Sequence, residues 1–354
     1  MKKVLVAMSG GVDSAVAAYL IKSQGYDAGG ITMRVWADSE VIGEGEVTYP
    51  DQNCTDAKLI ADALQMPHYT VALGESFREC VVNKFIADYK IGLTPNPCVE
   101  CNKCIKFGKL FDISRSLGYD GIATGHYARI EQDQNGKYVL KKALDDSKDQ
   151  SYFLWSIDKS RLSFIKFPLG EYTKPEVREI AEVQGFSNAH RSDSQDICFI
   201  SDGDYASFIA NHSSLSFPSG DFLDAEGNKI GEHNGIINYT VGQRKGLGVA
   251  FGVPMFVKGK DARSNTVTLC TNEQLFGTEL TATRINLLTD ITFDTPTQVQ
   301  AKIRYRHAPS AATVVRVDED TLNVKFDIPQ RAIAPGQSVV FYDGDTVLGG
   351  GIIS

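Results

Sequence analysis

The sequence of 354 residues contains no apolar run approaching the eighteen or so residues of a membrane-spanning helix. Its N-terminal run, Val4-Leu5-Val6-Ala7-Met8, stops at Ser9-Gly10-Gly11 and is too short for a secretory core. It reads as a buried strand of a soluble, unexported, cytoplasmic protein. Positive charge is not in excess: 36 Lys and Arg face 44 Asp and Glu, a formal net charge of −8, which argues against nonspecific nucleic-acid binding. A specific RNA enzyme stays open, because only the docking face needs to be positive. Cysteine is scarce, with seven residues at 54, 80, 98, 101, 104, 198 and 270. An odd number in a large chain without an export signal speaks against a secreted disulfide framework. Internal repeats and low-complexity tracts are lacking, so neither a solenoid nor a linker is indicated.

What remains is an ordinary globular composition, 42% hydrophobic and 23% charged, with room for about two or three domains. Val4–Met8, Gly30–Met33, His68–Ala72 and Gly121–Thr124 read as strands. Helices are expected over Ser14–Gln24, from about Thr55, around Val81–Tyr89 and after Cys101. Ala57, Ile60, Ala61 and Leu64 recur at helical spacing, as do Phe107, Leu110, Ile113 and Leu117. This alternation predicts an α/β domain over residues 1–212, a doubly wound parallel sheet with ligands at the carboxyl ends of its strands. Toward the C-terminus the period becomes two: Val299, Ala301, Ile303 and Tyr305 alternate with polar residues, as Leu322, Val324 and Phe326 do again. Asp343-Gly344 supplies a hairpin signal. Residues 277–354 therefore predict a small antiparallel β-barrel, and the Gly-, Asp- and Asn-rich stretch 213–276 a middle module.

Ser9-Gly10-Gly11-Val12-Asp13-Ser14 joins the first strand to the first helix. Two glycines permit a tight turn, two serines add donors, and the helix offers its positive end to an anion. Asp13 suits magnesium or loop ordering better than direct phosphate contact. The loop is neither a Walker loop, lacking Gly-Lys-Ser/Thr, nor a dinucleotide fingerprint. It resembles the signature of the PP-loop ATP pyrophosphatases, which leave AMP on an oxygen.

Further motifs narrow the resemblance. They are Thr94-Pro95-Asn96-Pro97-Cys98-Val99-Glu100-Cys101, Ala123-Thr124-Gly125-His126-Tyr127, Lys148-Asp149-Gln150-Ser151-Tyr152-Phe153-Leu154, Asp196-Ile197-Cys198-Phe199, Tyr239 to Gly248, Ala334-Pro335-Gly336-Gln337 and Leu348-Gly349-Gly350-Gly351. In this order and over the whole chain they resemble the tRNA-specific 2-thiouridylase family. The resemblance implies ATP-dependent adenylation of the wobble uridine on O2, then sulfur delivery to C2 from a cysteine persulfide. Cys198 would carry the persulfide, Cys101 would be its nucleophilic partner, and the two would end as a disulfide. Ala7, Met8, Ser9, Gly10, Gly11, Val12, Asp13, Ser14, Met33 and Gly125 would surround ATP with its Mg2+. Asn96, Pro97 and Cys98 would face the target base, and Lys148, Asp149 and Gln150 would touch tRNA. Arg304, Tyr305 and Arg306 would join them, with Lys302, Arg304 and Arg306 forming a phosphate stripe on one strand face. Implied partners are tRNAs for Lys, Glu and Gln and a sulfur donor such as a cysteine desulfurase or sulfur-relay protein.

Cys101 is expected to open a helix, whose positive end lowers a thiol pKa. Cys54, Cys80 and Cys270 read as small buried hydrophobes. His126 reads equally as an acid/base and as a structural histidine. One departure stands out: family members commonly carry Asn-Pro-Asp where this chain has Asn96-Pro97-Cys98. The substitution creates a second reading, in which Cys98, Cys101 and Cys198 ligate a [4Fe–4S] cluster, and a more distant one, a zinc site including Cys104. A persulfide relay ranks first. Outside this family, a PP-loop ligase adenylating a small molecule would need no paired cysteines, and a noncatalytic RNA-binding protein would not need Cys198.

Overall fold

Val4, Leu5 and Val6 have no exposed surface in the first strand, Lys3–Ala7, which explains why it lacks polar alternation: both of its faces are covered. The computed structural model describes residues 1–37, 40–41, 52–191, 197–200, 203–213, 215–249 and 252–354. These form two compact units: 1–81 with 98–199 and 344–348, and 82–97 with 200–343 and 349–354.

In the first unit, Lys3–Ala7 pairs in parallel with Asp27–Arg34 on one side and Gly121–Ala123 on the other. His68–Ala72 and Ile165–Lys166 complete a five-stranded sheet whose strands, numbered by appearance, run 3-2-1-4-5. The chain reverses direction across the sheet between the first and fourth strands, and a ligand crevice opens at such a point. The helix Val12–Ser23 buries Ala15, Val16, Ala17 and Ala18 completely rather than one face only. It shares its core cluster with Ala57, Ile60 and Ala61 and with Leu169, Val177 and Ala181. Gly25, at φ +84°, follows that helix in the left-handed conformation the sequence suggests.

In the second unit, Gly220–Leu223, Lys229–His233, Phe256–Asp261 and Thr266–Cys270 form a four-stranded sheet with one parallel pair. The remaining strands are antiparallel. Phe276–Leu287 pairs with Thr321–Arg331 along one edge and with the end of Thr346–Ile353 along the other, which closes a barrel. Leu322, Val324 and Phe326 all point into its core. The other expected strand is shorter than its alternation suggests, ending at Lys302. Ile303 to Arg306 form a bend and turn instead.

Among the described residues, no helix is long and apolar enough to cross a membrane.

Candidate active site

The loop after the first strand is organised from within. Ser14, 6% exposed, accepts a hydrogen bond from the Ser9 amide at 3.1 Å and donates one to the Gly11 carbonyl at 2.9 Å. Gly10 takes φ +73°, and a Cβ there would lie 2.7 Å from the Asn53 carbonyl oxygen. Three residues from far along the chain hold the loop. Lys174 Nζ lies 2.7 Å from Asp13 Oδ1, the Tyr127 hydroxyl donates to the same oxygen at 2.9 Å, and Asn188 Nδ2 donates to the Gly10 carbonyl at 2.8 Å. Asp13 thus orders the loop. Gly125 packs directly against it: a Cβ would meet the Asp13 carbonyl carbon at 2.8 Å and the Ser14 nitrogen at 3.0 Å. The first amides of Val12–Ser23 have no intrahelical acceptor by position, so this end suits an anion.

Lys174 and Asn188 were not among the expected residues, because nothing local marks a partner more than 150 positions away. One signal was present. Thr173 and Glu176 form a capping box with Pro175 at the helix start. A lysine in that first turn works against the helix dipole, so it needs a compensating anion. Asp13 is that anion.

Cys101 does not open its helix. The helical run begins at Pro97, passes through a π-helical segment, Cys101–Lys109, and continues as Leu110–Ser116. Burial pushes the Cys101 thiol up to about 12, and Cys198, Cys98 and Cys104 push it the same way, while Lys106 opposes them. The expected lowering is therefore corrected: desolvation one turn inside the helix outweighs the helix end. Cys98 and Cys198 keep exposed surface, yet desolvation by surrounding protein raises both, again against Lys106. Their mutual electrostatic influence brings Cys98, Cys101 and Cys198 into one neighbourhood.

The π-helical segment is braced at several points. Arg161 Nη1 donates to the Phe107 and Gly108 carbonyls at 2.8 and 3.0 Å, groups that a widened turn leaves available. Asn102 Nδ2 donates to the Phe153 carbonyl at 2.9 Å and Ser156 Oγ to the Val99 carbonyl at 3.2 Å. The Tyr152-Phe153-Leu154 motif, buried at Tyr152 and Leu154, thus helps to fix the cysteine helix. Phe199 stacks edge-on against Phe77 at 5.4 Å and anchors the residue next to Cys198. Asp196 lies outside the described residues. Cys54 and Cys270 are buried as expected, but Cys80 is half-buried and hydrogen-bonds with Cys104. Among the described residues no three His, Cys, Asp or Glu side chains are gathered to hold a metal ion. The cluster and zinc readings therefore find no support in the described residues.

His126 bridges the two halves of this site. Next to Gly125, it places Nδ1 2.6 Å from Thr124 Oγ1 and Nε2 3.3 Å from Lys106 Nζ. Desolvation, then Lys106, holds its pKa well below the usual histidine value, so the ring is neutral.

The expected RNA contacts divide. Asp149, 5% exposed, accepts from the Ala143 and Ser151 amides and the Ser151 hydroxyl, and Gln150 accepts from the Tyr127 amide. Both shape the turn beneath Tyr127, while Lys148 is half-exposed beside them. The stripe Lys302, Arg304, Arg306 is corrected, since its strand ends at Lys302. Arg304 donates to the Val241 and Ala332 carbonyls at 2.9 and 2.8 Å, Lys302 lies over the Tyr305 ring, and Arg306 is exposed.

Comparison with known proteins follows the whole length of the chain. Residues 2–202 match the family model described as tRNA methyl transferase HUP domain, 206–271 its PRC-barrel domain and 277–353 an aminomethyltransferase beta-barrel domain. The chain is 48% identical to the tRNA-specific 2-thiouridylase MnmA of Clostridioides difficile, covering 99% of this chain and 98% of that one. It is 47% identical to the tRNA-specific 2-thiouridylase MnmA 1 of Caldanaerobacter subterraneus, covering 99% and 97%. The corresponding protein of Lachnoclostridium phytofermentans is 44% identical, over 100% and 99%.

Proposed function

The chain belongs to the tRNA-specific 2-thiouridylase family, and we propose that it uses ATP to replace a uridine 2-carbonyl oxygen of tRNA with sulfur. The domain descriptions speak of methyl transfer, but relatives alike from end to end are thiouridylases, and a methyl donor needs no set of thiols. The observation that carries the reading is the Gly125-His126 step. Gly125 packs on the Asp13 loop, and its neighbour reaches Lys106 on the helix that bears Cys101. This supports reading the nucleotide loop and the thiols as parts of one site.

In this reading the loop residues Ala7 to Ser14, with Met33 and Gly125, hold ATP, whose phosphates bring Mg2+ as counter-ion. The uridine O2 attacks the α-phosphorus, pyrophosphate leaves, and AMP becomes a good leaving group at C2. The terminal sulfur of a Cys198 persulfide attacks C2 and expels AMP. The Cys101 thiolate then attacks the Cys198 sulfur, which frees 2-thiouridine and leaves a Cys101–Cys198 disulfide. An external thiol reductant resets the pair. Asn96, Pro97 and Cys98 face the base. The wobble uridines of tRNAs for Lys, Glu and Gln are the substrates, and a cysteine desulfurase or sulfur-relay protein loads Cys198.

The test is nucleoside mass spectrometry of unmodified tRNA incubated with protein, ATP and a persulfide donor. We expect 2-thiouridine with one AMP and one pyrophosphate per sulfur, and none from Cys101→Ala or Cys198→Ala. ADP and phosphate in place of AMP and pyrophosphate would reject the reading. So would ATP–pyrophosphate exchange supported by a small molecule and indifferent to tRNA.

A further inference from the structure

The cysteines sit where burial opposes the thiolate that sulfur chemistry needs. Cys98, Cys101 and Cys198 differ in exposure but share one opposing influence, the charge of Lys106. Its origin lies in the helix. Lys106 is five residues beyond Cys101 inside the π-helical segment Cys101–Lys109, where backbone bonds close over five residues and the Leu110 amide donates to the Ile105 carbonyl. One π turn thus separates Cys101 from its cation.

The ammonium is also aimed. Lysine can only donate, so His126 Nε2, 3.3 Å away, must accept, and the ring proton resides on Nδ1. Nδ1 in turn lies 2.6 Å from Thr124 Oγ1, which accepts a hydrogen bond from it. The rings of Phe107 and Phe167, at 5.9 and 5.8 Å, hold the imidazole between them. A second proton on His126 would face the ammonium with no acceptor, so the ring stays a neutral acceptor. The other ionisable groups nearby do not duplicate this role. Glu100, Lys103 and Cys80 act on Cys104. Arg161 is occupied by the Phe107 and Gly108 carbonyls and by Asp112.

We propose that Lys106, held by neutral His126 and Thr124 one π turn from Cys101, is the positioning cation of the cysteine site. The inference rests on the sulfur-transfer reading for its purpose, because a site without thiol chemistry would have no use for such a cation. It assigns His126 a role different from acid/base catalysis: it steers a charge. The same charge stabilises whichever of the grouped sulfurs is anionic as the mixed disulfide resolves.

The experiment measures alkylation by iodoacetamide, residue by residue, in the full-length protein between about pH 6 and 10. Wild type is compared with Lys106→Met, Lys106→Arg and His126→Phe. An opposite charge close by shifts a pKa by about one to three units. Lys106→Met should therefore slow alkylation of Cys98 and Cys198 at pH 8 at least tenfold and move their pH midpoints upward. Lys106→Arg should restore most of the rate, and His126→Phe should fall between. Cys54 and Cys270 serve as internal controls. Unchanged midpoints at Cys98 and Cys198 in folded Lys106→Met would overturn the proposal. So would an equal slowing at Cys54 and Cys270, which would mean that the effect is not local to Lys106. The readout needs no tRNA, so failure of the thiolation reading would appear separately, as no 2-thiouridine from wild type supplied with tRNA, ATP and a persulfide donor.

Discussion

The side-chain amide of Gln337 donates a hydrogen bond to the carbonyl of Thr94 at 2.7 Å, and the Thr94 amide donates to the Pro335 carbonyl at 2.9 Å. Thr94 is gripped on both backbone groups by one short turn. Gly336 makes the turn possible: it takes φ +91°, and a Cβ there would lie 2.7 Å from the Thr94 nitrogen. The C-terminal motif Ala334-Pro335-Gly336-Gln337 therefore does a local job. It fixes the entry into Pro95-Asn96-Pro97, the segment assigned to the target base.

Replacing Gln337 by alanine should cost about 1 kcal/mol of stability, one hydrogen bond's worth. Thiolation should slow while the KM for ATP stays constant, since no nucleotide contact is lost. Steady-state kinetics with tRNA and ATP varied separately would decide it. A raised ATP KM with unchanged tRNA turnover contradicts the grip on Thr94.

Asp13→Ala and Lys174→Met should both abolish pyrophosphate release, but their costs in stability should differ. The Lys174 side chain is 8% exposed and that of Asp13 is 32% exposed. Removing Asp13 takes its carboxylate away from a buried cation, at roughly 3 kcal/mol. Removing Lys174 leaves a carboxylate that reaches water and still binds the Tyr127 hydroxyl, so the loss should be smaller. Urea melts of the two variants give the order. A loop of this kind would be expected to tolerate Asp13→Ala without loss of stability on exposure alone, and Lys174 is why this one should not.

Cys98→Ser should keep most thiolation activity. In the relay only Cys101 and Cys198 must meet, with Cα atoms about 4.4–6.8 Å apart for a disulfide. Cys98→Asp, which restores the carboxylate common in the family, should equal or exceed wild type. Anaerobic purification followed by iron analysis and nucleoside mass spectrometry tests both. Joint loss of iron and activity in Cys98→Ser would overturn the relay.

Lys260 gives a pH dependence with a definite sign. Its ammonium lies 5.5 Å from the Tyr89 ring centre, and desolvation lowers its pKa to about 8. The unfolded chain keeps that proton up to about pH 10.4, so between the two values the unfolded state binds more protons. Stability of wild type relative to Lys260→Met should rise with pH from about 8 to 10.4 and be flat below 8. Melts at pH 7 and 9.5 suffice. A falling difference would mean that the amine is held charged.

The parallel sheet was legible because strands buried on both faces read as short apolar runs, as Val4 to Met8 does. The barrel was legible through period-two alternation at Leu322, Val324 and Phe326. That rule failed at Arg304 and Arg306, because alternation also continues past the end of a strand, and Lys302 gives no sign that the strand stops there. Pairing across long separations was invisible for the same reason at Lys174, Asn188 and Gln337: each reports its partner only once the chain is folded. The cysteine motif located the thiols. It could not tell that the helix begins at Pro97, and so the sign of the Cys101 shift came out reversed.

The wide turn between Cys101 and Lys109 makes the site sensitive to length rather than to composition. Each residue of such a helix advances the next by roughly a quarter of a turn. Dropping any one residue after Cys101 and before Lys106, even an exposed one such as Lys103, would swing Lys106 and Phe107 away from His126 by about that angle. Exchanging the same residue for another would leave the phase intact. Kinship at this helix is therefore better judged by counting positions than by scoring similarity. A relative that keeps Cys101, Lys106 and His126, with dissimilar residues between the first two but the same spacing, would keep the device, and one with near-identical residues and a single gap would lose it.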